Sequence, residues 1–156
     1  MSSTIGLAPA PFASTDEVRE LVAAFEACTL PKEAFTHTAH LTVALWYLVW
    51  YGPDEATDRV RDAIKRFNAA QGNVSRPGGG YHETITRFYM WAVRRHLRAA
   101  PLDGSLAELA NDVAVALADR ALPFEFWSKE RLMSDEARHA WIEPDIRALA
   151  ALRAAG

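Results

Sequence analysis

Three of the five histidines fall in two short runs: His37 and His40 in Thr36-His37-Thr38-Ala39-His40, and His82 in Tyr81-His82-Glu83-Thr84. Each run sits where a helix is expected to begin. If successive helices alternate in direction, the two starts share one end of a bundle and three imidazoles meet there. A cluster of that type binds a transition metal or carries acid–base chemistry. The i, i+3 pair His37/His40 can reach one ion from a single helix face, and His82 would complete a facial set. Glu83 and Cys28 are the candidates for a fourth ligand. Glu83 lies about 100° from His82 around a helical wheel, which suits a base better than a co-ligand. Zinc, nickel, iron and copper all accept imidazole, so the divalent ion is left open.

The same residues support a reading without metal. Imidazole buried at a helix N-terminus is disfavoured from carrying a proton, because desolvation and the helix dipole both oppose positive charge. Neutral His40 or His82 could then serve as a general base toward a small molecule. Glu83 and Tyr81 are the accompanying catalytic candidates. Arg76, in the run Arg76-Pro77-Gly78-Gly79-Gly80, is a candidate anion contact, and Asn68 and Trp127 are candidate ligand contacts. A third reading is a non-enzymatic helical interaction protein, a homodimer through Trp46 and Trp50.

The elements that must position these residues can be read from periodicity and punctuation. Residues 1–13, with Pro9 and Pro11, form an arm, and 14–156 a single helical domain. Ser14-Thr15-Asp16-Glu17 fits a capping box opening the first helix, with Val18, Leu21, Val22 and Phe25 inward and Pro31 at its end. A second helix is expected over about 36–51, stopped by Gly52, with apolar residues on nearly every face. Pro53-Asp54 opens a third, whose Asp58, Arg61, Asp62 and Lys65 face water, and Gly72 closes it. Three consecutive glycines make 73–80 a loop. A fourth helix follows over about 81–100. A second capping box, Ser105 to Glu108, starts a fifth that runs to about Asp119. An aromatic connection, Pro123 to Trp127, precedes short helical pieces near 128–133 and 135–141. No strand-like alternation and no internal repeat appear. The expected fold is all-α: an up-down helical bundle of about five main helices with a short helical C-terminal extension. Helix 3 is expected to return between helices 2 and 4.

Composition narrows the function class. The chain has 156 residues, 50% of them apolar, and a formal net charge of -3, which argues against general nucleic-acid binding. Cys28 is the single cysteine, so no internal disulfide can form, and it reads as a small buried hydrophobe. Leu41 to Trp50 is the most apolar run, well short of the ~18 residues of a membrane helix. The N-terminal residues lack the pattern of a secretion signal, and a cytoplasmic protein with no membrane partner is expected. Arg94-Arg95-His96-Leu97-Arg98 reads as a solvated helix end.

The stretches Phe35-Thr36-His37-Thr38-Ala39-His40-Leu41, Arg66-Phe67-Asn68, Tyr81-His82-Glu83-Thr84-Ile85-Thr86 and Ser128-Lys129-Glu130-Arg131-Leu132 resemble a family of small bacterial all-helical proteins. The resemblance covers about residues 35–145. It implies a bacterial single-domain protein and brings no established activity. In architecture a three-His bundle is also similar to the DinB/YfiT-like metalloproteins. Those pair histidines as HxxxH late in the chain, whereas this chain has HxxH early, so the likeness is analogy.

Overall fold

The computed structural model describes residues 11–72, 79–99 and 104–150. Within them the chain is all-α, with no strand. Five helices build the bundle: α1 (Thr15–Glu26), α2 (His37–Tyr51), α3 (Pro53–Ala70), α4 (Glu83–Ala99) and α5 (Leu106–Ala116). Two short ones, α6 (Lys129–Leu132) and α7 (Asp135–His139), form the C-terminal extension.

Side-chain caps set most of the starts. The hydroxyls of Ser14, Thr36, Ser105, Ser128 and Ser134 accept backbone N–H groups of Glu17, Ala39, Glu108, Arg131 and Ala137. Each removes one of the donors a helix N-terminus leaves unpaired, worth about 1 kcal/mol. Gly52 carries φ 78° between α2 and α3, a conformation that costs glycine little, and Pro53 follows at the first position of α3.

The first helix ends earlier than Pro31 suggests. Cys28 adopts φ 60°, its N–H bonds the Phe25 carbonyl, and the Thr29 N–H bonds that of Ala24. That is a Schellman termination with cysteine in the place glycine usually takes. Pro31 instead opens a 3-10 turn, Lys32–Ala34. Cys28 is accordingly a half-buried turn residue, with Sγ 4.0 Å from the Arg66 carbonyl, and not a core hydrophobe. The fifth helix also stops short of Asp119, at Ala116.

Helix α2 is the axis of the fold. It packs on α1, α3, α4 and α5, which explains an apolar sequence on nearly every face. It meets α4 directly, so α3 covers the pair and does not separate them. Phe25, Phe35 and Phe67 stack at 4.8–5.3 Å beneath the α2 N-terminus. A second apolar cluster lies on the other side of α4. There Phe88 packs on Phe126, Trp127, Leu132 and Ile142 of the extension. Thr84 ties the extension down by donating to the Ala140 carbonyl at 2.8 Å and accepting the Ile142 N–H at 3.3 Å. The C-terminal end of α2 leaves aromatic surface uncovered: Trp50, 61% exposed, leans on Trp46. No described helix is long and apolar enough to cross a membrane.

Candidate functional site

A cavity of about 740 Å³ opens where the N-termini of α2 and α4 meet the turns after α5 and α6. His37, His40 and His82 all line it, as their helical spacing predicts. Leu41, Ala44, Ile64, Ile85 and Met90 give it apolar walls. Volume and lining are those of a small-molecule site.

The three imidazoles differ in what their nitrogens do. His82 is the N-terminal cap of α4. Its Nδ1 accepts the Ile85 N–H at 3.1 Å, and its Nε2–H donates to the Leu132 carbonyl at 2.8 Å. A carbonyl only accepts, so the ring is the neutral Nε2–H tautomer with both nitrogens spent. Burial holds its pKa below the ordinary value despite the Leu132 bond. His37 donates from Nε2 to the Leu117 carbonyl at 2.8 Å and lies edge-on to Tyr89. Its Nδ1 has no partner among the described residues.

His40 stands apart. Its ring packs on Phe35 at 3.8 Å between centroids, and neither nitrogen has a hydrogen-bond partner among the described residues. The side chain is exposed and lines the cavity. Desolvation, aided by His37 and by the positive charge of Arg120, pushes its pKa down to about 4. At neutral pH it is a free imidazole offering one donor and one acceptor. The Tyr89 hydroxyl, also on a cavity-lining residue, is buried with no partner among the described residues, and desolvation raises its pKa to about 12.

The other candidates divide. Asn68, at the end of α3, lines the cavity. Tyr81 lines it too, but its hydroxyl donates to Glu83 at 2.8 Å. Glu83 faces away. Arg61 grips both its oxygens at 2.7 Å, and Arg87 stands 3.9 Å off. Burial alone would raise its pKa, but the Arg61 and Tyr81 hydrogen bonds prevail and leave it below the ordinary value. Glu83 is thus an ionised anchor rather than a proton acceptor, and Arg61 is its partner instead of a water-facing residue. Trp127 is 0% exposed, bonds the Ile142 carbonyl through Nε1, and belongs to the second core. Pro123 and Phe124, of the same connection, line the cavity in its stead. Arg76 lies outside the described residues. Cys28 is not in the lining.

Two cavity residues escaped sequence reading, Arg120 and Arg138. Arg120 follows α5 and Arg138 sits in α7, and neither side chain has a role assigned from the sequence. The only hint was the aromatic content of the extension, which forces that segment back onto the bundle.

Among the described residues no group of three or more His, Cys, Asp or Glu side chains could hold a metal ion. The geometry gives the reason: His82 could bind an ion only by giving up a helix cap or its bond to Leu132. No protein family, no curated protein and no solved structure matches the chain.

Proposed function

We propose that this protein binds a small organic molecule in the cavity at the His37/His40 end of the bundle, and that His40 shares or exchanges a proton with it. One observation carries the reading. His40 is an exposed imidazole on the wall of a ligand-sized cavity, packed on Phe35, with no hydrogen-bond partner among the described residues. A neutral ring so placed presents one donor and one acceptor to whatever enters the cavity. His37, with a free Nδ1 one helical turn away, is the second proton-handling group.

The test uses N-phenyl-1-naphthylamine, a neutral aromatic whose fluorescence rises on leaving water and whose N–H can donate to His40. Saturable 1:1 binding is expected, with a shift of the His40 ring nitrogens in NMR. Ile85→Trp, which fills the cavity from α4, should abolish both. Absence of saturable binding to a folded wild type, or binding untouched by Ile85→Trp, would overturn the reading.

The free nitrogens of His37 and His40 also favour a second reading, a divalent metal held by those two imidazoles without His82. Zinc, nickel, iron or copper would then shift the His37 and His40 rings together and leave His82 in place. Titrations that move neither ring would remove that reading.

A further inference from the structure

The cavity's charge is opposite in sign to that of the chain. The protein carries a formal -3, yet among the described residues no aspartate or glutamate lines the cavity, while two arginines do. Asp119, beside Arg120, accepts the Ala121 N–H and is the one nearby acid that acts on a cavity group, the Tyr89 hydroxyl, among the described residues; two others are committed elsewhere. Glu83 is held by Arg61, Tyr81 and Arg87, and Asp135 faces His139 at 3.5 Å.

Arg138 is the unusual member. Its residue is 8% exposed, and no carboxylate among the described residues lies within ion-pair distance of it. Nη1 donates to the carbonyls of Gly80 at 3.1 Å and Tyr81 at 3.5 Å. Nε and Nη2 have no partner among the described residues. Buried guanidinium groups are ordinarily paired, because taking the charge out of water is expensive and a neutral carbonyl compensates only in part. Here two carbonyls fix one corner of the fork and the rest is left unshared. A planar fork with a free edge is the arrangement that takes up a carboxylate or phosphate. Arg120 adds a second cation with no ion-pair partner among the described residues, close enough to act on His40 and Tyr89.

Building on the binding reading above, we infer that the ligand is an organic anion: an apolar or aromatic body bearing a carboxylate, sulfonate or phosphate that sits on the unshared edge of Arg138, with Arg120 as the second positive charge. The apolar walls take the body, and the acidic group supplies the counter-charge the protein omits. His40 then faces a molecule whose negative charge favours proton uptake by the imidazole, so binding draws a proton in.

The experiment compares two probes with the same aromatic skeleton, 8-anilinonaphthalene-1-sulfonate and neutral N-phenyl-1-naphthylamine. Wild type should prefer the sulfonate by about tenfold or more, the size of one charge-assisted hydrogen bond. Arg138→Gln should weaken sulfonate binding by more than it weakens neutral binding, so that the preference shrinks. That variant loses the bonds to Gly80 and Tyr81, so a cooperative melt must accompany it. Arg120→Gln, at an exposed position with no partner among the described residues, should reduce the preference independently. Equal affinity of wild type for both probes would overturn the anion assignment and leave the cavity reading standing. Failure of both probes would overturn the cavity reading itself. A preference that survives undiminished in both arginine variants, or in Ile85→Trp, would place the charge recognition elsewhere and refute the assignment.

Discussion

Replacing Glu83 with glutamine separates a structural anchor from a catalytic base. The Glu83 side chain is 10% exposed and Arg61 25%, with two hydrogen bonds of 2.7 Å between them. Breaking a fully buried pair costs about 3–5 kcal/mol, and an exposed pair about 0–1. This pair lies between those limits, and Arg61 keeps Asp58 at 2.7 Å as an alternative partner. A loss of about 2–3 kcal/mol is therefore expected on the scale set by those limits. For a chain of this size that is a fall of about 4–12 °C in Tm. The pH dependence fixes the cause. The folded-state pKa of Glu83 is depressed, so its stabilisation is present above the unfolded value of 4.5 and is lost as pH falls through the folded value. The gap between wild type and Glu83→Gln, followed by circular dichroism melts, should be large at pH 7 and close below pH 4.5. Binding of N-phenyl-1-naphthylamine by the folded variant should be unchanged, because Glu83 does not line the cavity. A variant that melts like wild type at pH 7 but loses ligand binding would refute the anchor role and restore Glu83 to the site.

Three further outcomes follow from the same geometry. Unfolded chain protonates His40 near its ordinary 6.5, whereas the folded protein resists to about 4, so stability should fall with pH across that window and His40→Gln should flatten the slope; parallel Tm–pH curves would contradict this. His82→Ala removes a helix cap and the Leu132 bond and opens a gap, at about 2–4 kcal/mol, and His82→Asn, which keeps a cap acceptor, should recover about 1 kcal/mol of it; identical melts for the two would show that the cap is not what His82 contributes. Because Cys28 holds φ 60°, Cys28→Gly should exceed Cys28→Ala in stability by about 1 kcal/mol in urea unfolding, and the reverse order would rule out a strained left-handed turn.

How much of this could be read beforehand depends on the range of the interaction that decides each residue. Helix starts were legible because a cap is local: Ser14, Thr36 and Ser105 each accept an N–H three residues on. The meeting of the three histidines was legible because helical period fixes where a side chain stands. What period does not fix is which partner a lone pair finds. His82 satisfies one nitrogen within its own first turn and the other 50 residues away at Leu132, so position alone could not distinguish it from His40. The same limit explains Glu83. Its i+4 neighbour Arg87 is the partner that sequence spacing suggests, but at 3.9 Å it yields to Arg61, 22 residues earlier and 2.7 Å away. Arg138 shows the limit at its strongest. Within Asp135-Glu136-Ala137-Arg138-His139 it looks like any charge on a short surface helix, and only the folding of the extension over α4 buries it. The residue that most constrains the ligand is thus one whose chemistry is created by tertiary burial. A cation is unremarkable in water, and becomes a demand for an anion once the fold has removed the water and placed no carboxylate of the described residues within ion-pair distance.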